Sequence, residues 1–386
     1  MSTNSSAPVI VGVGLSECGR VPHLSRRQHH ALATRRALDD AGLNITDIDG
    51  YMCADERIPD MAEFLGINYR YLSGTWTGGS SFEYHLQHAT AALRAGHANT
   101  ILITYGSDQL SVLGRSLGTS GQTTAKEEAT WGQYEAQYGL TTVGAYALMA
   151  RRHMYDYGTT SEQLAQIAVD ARSFAAYNPQ AMYRDSLSIS DVVGSRLIAD
   201  PLHKLDCCVV SDGGGALIVT TRERGADLRS EPVHILGSGT AQTHWNPSQV
   251  PDYSSSAAVQ AGAIAFAEAG ISPADVDMAM LYDSFTITVL VLLEGLGFCD
   301  RGEGGSFVAD GNIGPGGSLP TNTDGGGLSA SHPGLRGIFL LAEAVRQLRG
   351  QAGDVQVPDC SVALAAGSGG WLSCIGVNVL SKEPMS

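Results

Sequence analysis

The pattern Ala-Gly-apolar, three residues, Asp-apolar-Asp occurs twice in this chain, 228 residues apart. Residues 37–52 read ALDDAGLNITDIDGYM and residues 265–280 read AFAEAGISPADVDMAM. Each copy follows a strand-like segment, PVIVGVG at 8–14 and PVHILGSG at 232–239, and then an alanine-rich stretch with helical spacing. Gly42 and Gly270 stand where a helix needs a left-handed cap. Both regions continue alike. HATAALRAGHANTILITYGS at 88–107 reads as a helix, a glycine stop and a buried strand, and LLAEAVRQLRG at 340–350 with CSVALAAGSGG at 360–370 repeats that order. Alternating β and α segments with apolar strands predict a layered α/β fold. The duplication predicts two similar halves packed face to face, residues 1–224 and 225–386. A helix-like excursion at about 112–200 belongs to the first half and reads as a lid or pocket wall. Its polar opening, RSLGTSGQTTAKEEATWG, is expected to be mobile, and its second helix is expected to start at Thr160 or Ser161.

Composition narrows the function. With 43% hydrophobic and 16% charged residues over 386 positions, the chain has material for a real core. The net charge is −15 and no block of Lys or Arg offers a phosphate-backbone footprint, which argues against a nucleic-acid partner. Seven scattered cysteines lack metal-type CxxC spacing, so reduced thiols and no metal site are expected. The N-terminal residues lack the basic and apolar regions of a signal peptide, and no apolar run reaches bilayer length. A cytoplasmic location is the expectation.

The segment LPTNTDGGGLSASHPGLRG at 319–337 is the sharpest cluster. Its glycines, Gly325 to Gly327, permit unusual backbone angles and close approach of a ligand. Pro333 suits a helix first turn. His332 is therefore expected at the N-terminal end of a helix running to about Arg349, where the macrodipole lowers a histidine's pKa. A neutral imidazole there is either a base or hydrogen-bond partner, or a capping or packing residue. By the repeat, His332 should face TWTGGSSFEY around Gly78, Gly79 and Ser80. Two helix N-termini would then meet at one site, their amides placed to stabilise a thioester oxyanion.

Taken in order, VGVG, YGSDQLS at 105–111, VSDGGGALIV at 210–219, YDSFT at 282–286 and GGGLSASHPG resemble the thiolases over nearly the whole chain. The likeness is strongest to the sterol-carrier-protein type and its lipid-transfer-protein relatives. The resemblance implies a thiolase fold, five-layered αβαβα, from two pseudo-symmetric halves. It also exposes departures. The family's nucleophilic cysteine falls at Gly79, and its second cysteine at Ala365 or Ala366. Its Asn-Glu-Ala-Phe turn is Tyr282-Asp283-Ser284-Phe285, and only the histidine of the HP motif persists, as His332. Glycine cannot be acylated, so a Claisen turnover through an acyl-cysteine at that position is ruled out. Ser80 and Ser81 have no identified base beside them and read as helix N-caps. Cys299, Cys360 and Cys374 read as packing residues.

That branch includes aldolases acting on steroid side-chain CoA thioesters, with YDSFTIT, LGFC, GEGGSFV and NTDGGGLS as shared marks. The resemblance implies retro-aldol cleavage of a bulky β-hydroxyacyl-CoA without an acyl-enzyme. The catalytic candidates are Tyr282, His332 and Asp283. Tyr282 either transfers a proton or closes the pocket as a strand-end aromatic. Asp283 either orients Tyr282 or His332, or caps the next helix. Gly78, Gly79, Ser80, Asn322, Gly326, Gly327, Ser329 and Gly367 are the candidate substrate- and CoA-binding residues. Coenzyme A is expected only as part of the substrate, with no other cofactor. A homodimer formed near residues 73–86 and an OB-fold/zinc-ribbon accessory protein are the implied partners. The alternatives are a degenerate acyl-CoA acyltransferase and a non-catalytic acyl-CoA-channelling subunit. One departure stands against a simple transfer of mechanism: the branch often has Ser-Tyr-x-His-Pro, and here the tyrosine's place is Ala330.

Overall fold

The computed structural model describes residues 7–54, 56–114, 135, 138 and 140–384. The first half runs β1 (Pro8–Leu15), α1 (Arg26–Ala41), β2 (Gly50–Cys53), β3 (Tyr71–Ser73), α2 (Ser81–Arg94) and β4 (Thr100–Ser107). The excursion follows with α3 (Thr142–Tyr157) and α4 (Ser161–Ala175), and β5 (Gly213–Thr221) closes the half. The second half runs β6 (Val233–Gln242), α5 (Ala258–Ala269), β7 (Met278–Leu281), α6 (Thr286–Gly295), α7 (Gly337–Leu348), β8 (Val362–Gly369) and β9 (Cys374–Ser381).

The strands hydrogen-bond in the order β3-β2-β4-β5-β1-β6-β9-β8-β7. Outward from the centre, β1-β5-β4-β2 and β6-β9-β8-β7 are the same arrangement, with β3 added on the outer edge of the first. The first strands of the two halves meet antiparallel through two residue pairs, Val9 with His234 and Ile10 with Val233. The repeated glycines do the same work: Gly42 and Gly270 cap α1 and α5 at φ 72° and 70°. α1 covers β1, β4 and β5, and α5 covers β6 and β9. Between the two halves of this nine-stranded sheet lie α2 and α7, packed on each other and on strands of both halves. Five layers result, αβαβα. The central helices are buried nearly all round because neither face of that layer meets water.

In the excursion, Thr160 is the N-cap: its hydroxyl accepts from the Gln163 amide at 3.2 Å, with Gln163 reaching back in a capping box. Both α3 and α4 pack on α6, and α4 also packs on the 326–330 turn, so the excursion forms one wall of the second half. Its polar opening, 115–132, lies outside the described residues.

The central layer holds an unexpected charge carrier. Glu83 on α2 is fully buried and both its carboxyl oxygens lack a hydrogen-bond partner among the described residues. A Cβ at Gly367, Gly337 or Gly376 would come within 2.0, 2.4 or 2.5 Å of Glu83 atoms. Gly367, expected at the CoA site, therefore makes room for this carboxyl. Burial pushes Glu83 up to about 8 from its ordinary 4.5. A carboxyl whose folded pKa is raised contributes stability that is fully present below pH 4.5 and is lost as pH rises through 8. The loss amounts to roughly 5 kcal/mol at the alkaline end. Urea midpoints of Glu83→Gln should therefore fall much less between pH 5 and pH 8.5 than those of the wild type. Parallel pH profiles would show that Glu83 does not carry this proton.

Candidate active site

Strand β7 delivers the chain to the turn 282–285, which leads into α6. The turn is anchored from two sides. The Tyr282 amide donates to the Ala366 carbonyl at 2.9 Å, and the Leu281 amide donates to Asn322 Oδ1 at 2.8 Å. Asn322 sits at φ 57° with its side-chain oxygen on a strand end, so its observed contact is structural.

From this turn Tyr282 reaches His332. The phenol oxygen lies 3.1 Å from Nε2 and the rings meet edge to face at 86°. The Gly334 carbonyl is 3.5 Å from the same hydroxyl. Both side chains are buried. Burial, and then the nearby Arg336 guanidinium, hold His332 down to about 3. Burial, and then Cys208, Tyr105 and Tyr146, push Tyr282 well above the ordinary phenol value. At neutral pH this is a neutral phenol against a neutral imidazole, an arrangement along which a proton can move.

The expected reason for the low histidine pKa needs correction. α7 begins at Gly337 with Arg336 as its N-cap, so His332 and Pro333 precede the helix. The Pro333 carbonyl accepts from Tyr105 Oη at 2.5 Å, and the His332 amide donates to Ser211 Oγ at 3.0 Å. Residues Gly326–Ala330 form a π-helical turn instead. Desolvation and a cation lower the pKa; the helix dipole is not needed.

The two helix starts do meet, as the repeat implies. The Gly337 amide at the head of α7 donates to the Gly79 carbonyl at 3.1 Å, next to the head of α2. A Cβ built on Gly79 would fall 2.2 Å from Tyr282 Cζ and 2.4 Å from the Ser368 carbonyl oxygen. The phenol ring thus occupies the room that a side chain at position 79 would take. Glycine at 79 and tyrosine at 282, far apart in sequence, thus share one space. Gly78 holds φ 75° beside Gly369, 3.2 Å from its would-be Cβ. The Ser80 hydroxyl turns back to the Thr77 carbonyl at 3.2 Å and to Thr77 Oγ1 at 3.1 Å, and the Ser81 hydroxyl donates to the Gly78 carbonyl at 2.7 Å. Neither caps α2 in the expected way, and both are committed to shaping this turn.

The glycine cradle also differs from expectation. A Cβ on Gly326 would lie 2.1 Å from Asp283 Oδ2, and one on Gly327 2.9 Å from Oδ1. The cradle holds the Asp283 carboxyl. Asp283 accepts from the Gly327 amide at 2.7 Å and the Leu328 amide at 3.1 Å, and Arg336 Nε stands 3.4 Å away. It makes no hydrogen bond to Tyr282 or His332, and the amides it caps are those of the 326–330 turn, not those of α6. Its geometry is that of a positioning residue, fixing the turn from which His332 projects. Burial pushes Asp283 up to about 6, against the pull of Arg336. Ser329, on the same turn, accepts from Arg172 Nε of α4 at 2.8 Å.

Arg336 went unread in the sequence. It is fully buried, donates to both Asp324 oxygens at 2.7 and 2.5 Å and to the Ser331 carbonyl at 2.9 Å. A lone arginine in a glycine-rich apolar run, with the acidic motif residues Asp283 and Asp324 both upstream of it, was the available signal. Cys208 was also missed. Its amide donates to the Ser284 carbonyl at 2.9 Å. Burial, then Cys207 and Asp283, push its thiol up, which makes it a poor nucleophile. Ala365 and Ala366 are fully buried in β8 and carry no reactive group. No described helix is long and apolar enough to cross a membrane.

Residues 239–382 match the model of the thiolase C-terminal domain-like family. The chain is 36% identical to the steroid side-chain-cleaving aldolase of Thermomonospora curvata, over 96% of this chain and 97% of that protein. It is 34% identical to the 17-hydroxy-3-oxo-4-pregnene-20-carboxyl-CoA lyase of Mycobacterium tuberculosis, over 95% and 97%. The solved structure of an Ltp2-ChsH2(DUF35) aldolase superposes with a TM-score of 0.90 at 32% identity, covering 100% of both chains. With its αβαβα layers, its paired helix starts and these relatives, this chain belongs to the thiolase superfamily, as an aldolase-like member of the sterol-carrier-protein type.

Proposed function

We propose that this protein is a carbon–carbon lyase that cleaves a bulky β-hydroxyacyl-CoA, of the steroid side-chain class, by a retro-aldol reaction. The observation that carries the reading is the Tyr282 ring standing in the room that a side chain at position 79 would take, with its hydroxyl 3.1 Å from His332 Nε2. Tyr282 takes the proton of the substrate's β-hydroxyl while passing its own to His332 Nε2. The bond between the α and β carbons breaks, leaving a ketone and a thioester enolate. The relay then runs back and delivers the proton to the enolate carbon. No covalent intermediate forms, and coenzyme A enters only as part of the substrate. Asp283 and Arg336 hold the 326–330 turn so that His332 stays in line.

The reading includes two partners. One is an OB-fold/zinc-ribbon accessory protein in a hetero-oligomer, by analogy with the Ltp2-ChsH2(DUF35) aldolase. The other is a second copy of this chain, joined near residues 73–86. Edge strand β3 and the exposed Trp76, whose ring lies 5.5 Å from that of Trp245, favour that surface.

The test is to co-purify the protein with neighbouring gene products and assay the complex on β-hydroxyacyl-CoA esters, following ketone and shortened acyl-CoA together. Iodoacetamide treatment should leave turnover intact. Burial pushes the thiols of Cys18, Cys207, Cys299 and Cys360 up to about 12, and Cys208 shifts the same way. Loss of turnover with a labelled pocket cysteine that substrate protects would replace this reading with the acyltransferase one.

A further inference from the structure

The second tyrosine expected before the HP motif is absent, and Ala330 in its place is buried and can donate nothing from its side chain. A different hydroxyl stands close by. Tyr146 enters from α3, in the excursion. Its ring packs 4.6 Å from Phe285, in the same turn as Tyr282, and 6.0 Å from Trp371. Its hydroxyl donates to the Gly370 carbonyl at 3.2 Å. That is long for an O–H···O bond, so exchanging it for a stronger acceptor costs little.

Gly370 belongs to the turn that borders the nucleophile position. The Ser368 carbonyl lies 2.4 Å from the Cβ that Gly79 would carry, and Gly369 flanks Gly78. The buried Ser368 hydroxyl meets no partner at full hydrogen-bond geometry among the described residues, and its loose contact, like that of Ser284, is with Tyr146. Such a group at a site border points to a ligand atom that completes it. Tyr146 is also in electrostatic reach of Tyr282.

We propose that the Tyr146 hydroxyl is a second catalytic group of this site, donating a hydrogen bond to the thioester oxygen as the enolate forms, with the Ser368 hydroxyl beside it. This rests on the retro-aldol reading, which requires a negative oxygen to be held once the carbon–carbon bond breaks. The chemistry needs a donor that keeps its proton. Burial first of all pushes Tyr146 up to about 12, so it stays protonated throughout the neutral range. Tyr282 handles the moving proton and Tyr146 the charge.

The experiment compares wild type, Tyr146→Phe and Ser368→Ala in the assembled complex. Tyr146→Phe keeps the ring against Phe285 and Trp371, so the fold should be retained. Expected is a fall in kcat of roughly 10²-fold, the usual worth of one oxyanion donor, with KM nearly unchanged. A binding arm is independent of turnover. A CoA thioether bearing a nitronate mimics the enolate, and its affinity should fall about 10-fold or more in Tyr146→Phe, with free CoA binding unaltered. Ser368→Ala should show the same selective loss to a smaller degree. If Tyr146→Phe turns over and binds the nitronate like wild type while Tyr282→Phe is inactive, the Tyr146 inference is overturned and the retro-aldol reading stands. If the wild-type complex cleaves no β-hydroxyacyl-CoA, the retro-aldol reading falls. The nitronate comparison still decides the donor: a selective loss supports it, and equal affinity ends it.

Discussion

Replacing Tyr282 with phenylalanine is expected to lower kcat by roughly 10²–10⁴, the usual worth of a positioned acid or base. KM should change little, because the hydroxyl is a small part of any substrate contact. The ring still fills the space beside Gly79, so the fold should survive. What disappears is the 3.1 Å link to His332. The buried Nε2 loses its partner, at a cost of about 1–3 kcal/mol in stability. His332→Ala should produce a loss of similar size by removing the other end of the relay. Steady-state kinetics on the same β-hydroxyacyl-CoA, with thermal melts alongside, check both. A Tyr282→Phe enzyme that keeps more than about a tenth of wild-type kcat would take the proton transfer away from this residue.

The second large effect concerns Gly79, where the sequence resemblance places the thiolase nucleophile. Gly79→Cys should yield no thiolase and should damage the enzyme it starts from. The new Cβ would stand 2.2 Å from the phenol ring and 2.4 Å from a main-chain oxygen. The backbone has little freedom to retreat, since the Gly79 carbonyl holds the first amide of α7. Overpacking of this kind costs about 1–3 kcal/mol, and displacing Tyr282 by even about 1 Å from His332 should cost on the order of 10² in rate. Pairing Gly79→Cys with Tyr282→Ala should relieve the clash, so the double variant should melt above the sum of the single effects. Thiolysis of a 3-ketoacyl-CoA should stay absent even then, because Ala365 and Ala366 offer no acid–base partner. Strict additivity in the melts would show that the two positions do not compete for space.

The layered fold was readable because it is written twice. The Ala-Gly-apolar pattern, the left-handed caps at Gly42 and Gly270 and the order of strands are local features, and local features survive in sequence. The site was readable only by residue type. Tyr282 and His332 stood out, but that Tyr282 fills the place of a side chain at Gly79 depends on how the second half sits over the first. Glycines 326 and 327 looked like room for a ligand; they are room for Asp283, whose fit no spacing rule reveals. Gly367 misled in the same way, since its neighbour Glu83 comes from the other half. Arg336 was passed over because buried arginine is rare and only its two acidic partners explain it. Tyr146 could not be singled out in a tyrosine-rich excursion before the face of α3 that meets Phe285 was known.

The ring beside Gly79 also bears on descent. Suppose an ancestor carried a side chain at 79 and a smaller residue at 282. Tyrosine arriving first would collide; glycine arriving first would surrender the old chemistry but leave a survivable gap. The return journey is worse. Cysteine at 79 meets an occupied space, and removing the tyrosine beforehand empties an aromatic-sized void, worth about 3–5 kcal/mol for a buried ring. Once made, such a swap works as a ratchet: each single step back is destabilising, so packing alone would hold glycine at position 79 in this lineage.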